Sequence, residues 1–207
     1  MDEGAKRKEE AFSSTVERIG TAEPPRPARR GFGLLEATSF LCGACVMILE
    51  MTGSRLVAPF FGTSLVVWTA LIGVVMASLC AGNWAGGLLA DRRPERRVLA
   101  RIVLLSAVCT GCLAWAGNAV LSFLGGLNLN LYLAVVLAAL LIFALPSLLL
   151  GMVSPFVIRL AMDDVGTSGG TVGRFSALSS AGSILGTFLG GFILISLAVN
   201  QDRKSVV

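Results

Sequence analysis

The 207-residue sequence contains no histidine. That removes the Ser-His-Asp triad, histidine-based acid–base pairs and the commonest metal ligand from consideration. There is a single tyrosine, and only 14% of the residues are charged, where about 25% is usual for a soluble domain. Charge is missing altogether from Leu56 to Ala90, from Ile102 to Ile158 and from Phe175 to Gln201. What fills these stretches is apolar: hydrophobic residues are 55% of the chain and the mean hydropathy is +0.79. One bilayer crossing takes roughly 20 apolar residues. The three charge-free stretches therefore hold one, two and one crossings, and a further crossing precedes Arg55. The expected fold class is all-α, a multi-pass transmembrane helical bundle of about five spans.

Residues 1–30 are polar, carry Pro24, Pro25 and Pro27 and show no apolar period, so they read as a disordered cytoplasmic tail. They do not read as a secretory signal, because no small-residue cleavage site follows the first apolar stretch. Residues 31–200 form the expected transmembrane domain, with spans at about 33–52, 64–90, 98–120, 131–158 and 174–199. Residues 201–207 are a short polar C-terminus. Between spans, Gly53 to Gly62 and Gly125 to Asn128 read as connections. Asp163 to Gly173 reads as a flexible glycine-rich loop without the lysine of a P-loop. Pro146 and Pro155 are expected to kink the fourth span by removing backbone hydrogen bonds.

Positive charge is segregated as well. Of the 17 Lys and Arg residues, all but Arg55, Arg203 and Lys204 fall in the tail, around the second-to-third connection or around the fourth-to-fifth. Cytoplasmic loops are enriched in Lys and Arg, so this side is expected inside, with the N-terminus cytoplasmic and the protein in the cell (inner) membrane. Trp68, Trp115 and Tyr132 are expected at outer span ends, as an interfacial belt requires; Trp84 falls nearer the inner end. The net charge of +4 and pI near 9.0 thus reflect topology, and no nucleic-acid partner is expected.

The richest motif runs from Gly82 to Arg97. Gly87, Asp91, Arg92, Arg96 and Arg97 resemble the loop between the second and third helices of major facilitator superfamily (MFS) carriers, G-x-x-x-D-R-x-G-x-R-R, with Pro94 where that pattern has glycine. Asp91 is placed to pair with neighbouring arginines or with the N–H groups opening the next helix. Two further segments read G-x-x-x-G-G: Gly82 to Gly87, and Gly186 to Gly191. Each has a small residue four positions earlier, Ser78 and Gly182. Such a pair is what a three-plus-three inverted repeat leaves in an MFS half, giving a half-MFS-like bundle. The repeat implies at least one more helix in the natural unit. Ser78, Gly82, Gly86, Gly182, Gly186 and Gly190 are the expected close-packing positions.

Several stretches together resemble the membrane portion of bacterial fused MFS/spermidine-synthase-like proteins. They are Glu50-x-x-Gly53-Ser54-Arg55-x-x-Ala58-Pro59-x-x-Gly62, then Trp68, then Gly86-Gly87-x-x-x-Asp91-Arg92. Gly151-Met152-x-x-Pro155, Val172-Gly173-Arg174 and Ser176 to Thr187 follow in the same order. The resemblance implies a polyamine or small-amine substrate and a downstream aminopropyltransferase-like catalytic domain. No glycine-rich strand-to-helix turn or Rossmann-type acidic pair is present, so no catalytic residue, enzyme activity or cofactor is assigned to this chain. The competing expectation is a half-size MFS-type transporter acting as a homo-oligomer.

Glu50 and Arg55 are the candidate substrate- or proton-path residues, since ionisable groups at a span edge usually face protein or a wet cavity. Five positions apart they point about 140° apart on an ideal helix, so a direct pair requires the helix to end near Gly53. Interfacial anchoring of Arg55 is the alternative. Cys42-x-x-Cys45 and Cys109-x-x-Cys112 have zinc-like spacing, but thiolates in hydrocarbon are costly and the first and third helices of an MFS half are not close neighbours. The cysteines are read as small apolar fillers and no metal is expected.

Overall fold

The computed structural model describes residues 32–126, 130–162 and 168–194, and every described residue lies in a helix or a link of at most three residues. The helices are α1 (Phe32–Phe61), α2 (Leu65–Arg92), α3 (Arg96–Gly126), α4 (Leu131–Ala161) and α5 (Ser168–Phe188), the last continued by a π-helix over Leu189–Leu194. In hydrocarbon each backbone N–H and C=O must find its partner within the protein, which selects helices for apolar chain of this length. α1, α2, α4 and the stretch Gly169–Phe192 are each long and apolar enough to cross a membrane. α3 is a bent pair, Arg96–Leu113 and Trp115–Gly126, with a 53° angle between its halves; counted as one span it brings the total from four to five. The bend lies between two glycines of the same helix, Gly111 and Gly117, and glycine lowers the cost of departing from regular helix.

The helices outrun the expected spans. α1 does not stop near Gly53 but continues to Phe61 with Pro59 inside it. Gly53 lies against the ring of Phe143 and Val57 is buried, so packing on α4 holds the last turns helical where local composition suggested a connection. Pro59 has no N–H for the Arg55 carbonyl and its ring crowds the turn before it, and the helix ends two positions later, at Phe61. α3 reaches Gly126, which leaves Trp115 eleven residues from its end, about 16 Å at 1.5 Å per residue. Trp68 and Tyr132 do occupy the first turns of α2 and α4; Trp115 sits beside the bend instead, 90% exposed. α5 begins at Ser168, so Gly169, Gly170 and Gly173 are helical rather than a flexible loop. α4 runs unbroken through Pro146 and Pro155. The tail, Asp163, Asp164, the last residues of the fifth span and the C-terminus lie outside the described residues.

The links are short and chemically defined. Gly62, at φ 80°, donates its N–H to Ala58 O at 2.8 Å and turns the chain from α1 into α2, a backbone conformation in which a side chain is penalised. At the other end of α2, Arg93 N–H returns to Leu89 O at 2.9 Å, and Pro94, which lacks an N–H, separates α2 from α3. Asn130 caps α4, its side chain accepting from Tyr132 N–H at 3.3 Å.

α4 is the hub. In its most apolar window 56% of residues are buried inside the protein, against 33% or less in the other unbroken spans. Leu49 and Val57 of α1, Val67, Leu71 and Val75 of α2 and Leu121 of α3 pack with Val135, Ala138, Ile142 and Phe143 of α4 in one cluster. This cluster lies toward the end of the bundle away from Arg92–Arg97.

Candidate functional site

Two helix pairs make the closest contacts, and one shift relates them. A methyl group added at Gly82 of α2 would strike Leu148 O of α4, and one at Gly86 would fall 2.6 Å from Met152 Cα. A methyl group added at Gly186 of α5 would strike Ala44 O of α1, and one at Gly190 would meet Ile48 Cα at 3.7 Å. Gly186 and Gly190 stand 104 positions after Gly82 and Gly86; Leu148 and Met152 stand the same 104 positions after Ala44 and Ile48. The repeat therefore extends from the glycine helices to the helices they rest on. α2 on α4 and α5 on α1 are two copies of one parallel helix pair. Gly182 adds a contact with Phe40 O, and Ser78 is buried with its hydroxyl donating to Val74 O at 2.7 Å. Across the α1–α5 pair, Ser39 Oγ donates to Phe175 O at 3.1 Å and Ser183 Oγ to Gly43 O at 3.2 Å. Small residues let backbones approach until such contacts form.

Each pair is also tied by an ion pair at the basic end. Asp91, at the end of α2, accepts from Arg159 Nε of α4 at 3.2 Å. Glu36, in the first turns of α1, pairs with Arg174 of α5. Asp91 thus pairs with a distant helix rather than with the arginines of its own turn. Sequence reasoning counted Arg159 and Arg174 only as loop charges. Their position at helix ends on the same side as Asp91 and Glu36 was the available signal. Gly87 of the loop motif faces open space.

Glu50 and Arg55 are not brought together. Because α1 is continuous through both, they diverge as the helix angle requires, and no ion pair joins them among the described residues. Glu50 shares its face with Gly53 and Val57, at i+3 and i+7, the face that meets Phe143 of α4. Its Oε1 is buried and has no hydrogen-bond partner among the described residues. Ser147 of α4, 1% exposed, has an orphaned Oγ as well. Both residues fall within the stretch of α1–α4 contact bounded by Gly53 on Phe143 and by Cys42, whose Sγ donates to Leu150 O at 3.3 Å. Arg55 instead lines a cavity of about 270 Å³ between the end of α1 and the start of α2.

The five cysteines are free, and no group of three or more Cys, Asp or Glu side chains placed to hold a metal occurs among the described residues. α1 and α3 do approach one another, contrary to expectation, where Gly117 faces Leu56. That contact lies toward the opposite end of α1 from Cys42.

The described residues define an all-helical, multi-pass transmembrane bundle with an internal helix-pair repeat. Compared with models of protein families, with curated proteins and with solved structures, the chain finds no match in any of the three.

Proposed function

We propose that this chain is the membrane module of a spermidine-synthase-like fusion protein. It is built as an MFS-type half, holds an amine at Glu50 and passes it to an aminopropyltransferase-like domain absent from this chain. The observation that carries the amine is the buried, unpartnered Glu50 Oε1, with the orphaned Ser147 Oγ on the facing helix. Glu50 as a whole is half-buried, but its enclosed oxygen lacks a donor, and an ionisable group at a span edge is suited to a cationic partner. An ammonium group would supply both charge and donors, one of them to the serine oxygen. The motif order around Glu50, Asp91 and Gly182 supports the fusion. The Lys and Arg distribution supports an inner-membrane protein with its tail and basic turn in the cytoplasm, to be checked with reporters fused to the N-terminus and to the α3–α4 turn.

The test is amine binding by the purified chain in nanodiscs. Spermidine or putrescine binds the wild type, and Glu50→Gln loses most of that affinity. Equal binding by both proteins, or none by the wild type, overturns the reading. The 104-position repeat favours a second function, a half-size MFS-type transporter working as an oligomer. Counterflow of labelled amine in proteoliposomes holding only this chain, together with a cross-linked dimer, would select it.

A further inference from the structure

The cavity at the α1–α2 turn is independent of Glu50 and has a different chemistry. Its walls are Ser54, Arg55, Ala58, Gly62, Thr63, Val67, Trp68 and Leu71. Val67 and Leu71 are buried and form an apolar floor. The cavity surface is mostly apolar, and the donor-bearing residues on its wall are Arg55, Thr63 and Trp68. The Arg55 guanidinium, the Thr63 hydroxyl and the Trp68 indole N–H have no hydrogen-bond partner among the described residues. Ser54 has already given its proton to Met51 O at 2.9 Å. Gly62, in its left-handed conformation, folds Arg55 and Trp68 toward one cavity. The backbone adds to this polarity. Ser64 precedes α2 without a side-chain cap, so the first N–H groups of a 28-residue helix open nearby.

Arg55 is also the only Lys or Arg among the described residues that is not at the basic end. An arginine set alone at the far end, beside a half-exposed tryptophan, has the composition expected of a span's interfacial end. A cavity with a planar cation, a hydroxyl donor and an indole donor over an apolar floor suits a ligand with an oxyanion and an apolar continuation. We infer that this cavity binds a phosphate oxyanion, presented by a phospholipid headgroup or by a soluble phosphomonoester. Arg55 supplies the bidentate fork, Thr63 a single hydrogen bond, and Val67 and Leu71 the contact for the adjoining carbon chain.

The test uses the full chain in dodecyl maltoside with Trp84→Phe and Trp115→Phe, both exposed positions, so that Trp68 alone reports. Phosphatidylglycerol gives a saturable fluorescence change, and a phosphate-free galactolipid gives none. Arg55→Gln raises the half-saturating lipid concentration at least tenfold. Arg55→Lys raises it less, keeping charge but losing the fork. Thr63→Val raises it several-fold, and Arg101→Gln leaves it unchanged. If inorganic phosphate displaces the lipid at millimolar concentration, the site stands with a soluble ligand as its source. A galactolipid response equal to that of phosphatidylglycerol overturns the inference. So does an unchanged half-saturation in both Arg55→Gln and Thr63→Val with helical content retained.

Discussion

Arg159 Nε lies 3.2 Å from Asp91 Oδ1, joining the ends of α4 and α2 across 68 positions of chain. The pair is open to solvent, with the two side chains 47% and 71% exposed. Exposed ion pairs contribute about 0–1 kcal/mol. A double-mutant cycle of Asp91→Asn and Arg159→Gln, followed by thermal unfolding in detergent, is expected to give a coupling energy below about 1 kcal/mol. A coupling of 3 kcal/mol would mean that the pair is sheltered in the membrane-embedded protein.

The other ion pair behaves differently. Glu36 is only 22% exposed, so removing its partner strands a largely desolvated carboxylate. Arg174→Gln is therefore expected to destabilise by about 1–3 kcal/mol, since hydrogen bonds to charged groups are worth that much. It should exceed Arg159→Gln measured in the same detergent. Raising the salt concentration should weaken the Asp91–Arg159 coupling more than the Glu36–Arg174 coupling, because buried pairs are screened less.

The repeat predicts equal sensitivity at equivalent glycines. Gly82→Ala and Gly186→Ala each push a methyl into a facing carbonyl, an overpacking that costs about 1–3 kcal/mol. Gly73→Ala meets open space and is expected to be neutral, or stabilising by up to about 1 kcal/mol from helix propensity. Unfolding of the three variants by sodium dodecyl sulfate titration makes the comparison. If Gly82→Ala and Gly73→Ala unfold alike, the α2–α4 contact is looser than described.

Ser147 offers a separation of stability from function. Its buried hydroxyl has no partner among the described residues, so Ser147→Ala removes an unsatisfied group and leaves stability unchanged or raised by up to about 1 kcal/mol. The same change should lower amine affinity if Glu50 and Ser147 share a ligand. Loss of both stability and binding would show that the hydroxyl already has a structural partner.

Helices and their number were legible because charge-free runs of bilayer length leave few alternatives. Boundaries were less so. Gly53 to Gly62 has the glycine and proline of a connection, and only the buried Val57 and the Gly53–Phe143 contact explain why α1 continues. The π-helix at Leu189–Leu194 has no local signature beyond Gly190-Gly191. In the candidate site, Glu50 stood out as a lone acid in an apolar run. The partners of Asp91 and Glu36 did not stand out, because ion pairs between helices depend on spatial order and not on spacing along the chain. Thr63 was missed for the same reason, as part of a turn that becomes a cavity wall only when α1 is extended.

The parallel pairing of α2 with α4 and of α1 with α5 has a consequence for biosynthesis. Neither pair consists of chain neighbours, so neither interface can close until the later helix has left the ribosome. The grooved faces at Gly82 and Gly86 wait for α3 and for α4 as far as Met152 to be made, and the Phe40–Ala44 ledge waits longer still. A nascent chain halted after α3 would present its tightest mating surfaces unfilled to the insertion machinery and to membrane proteases. Assembly of this bundle is therefore coupled to completion of α5, and substitutions in the last described helix should be felt as early turnover of the whole chain.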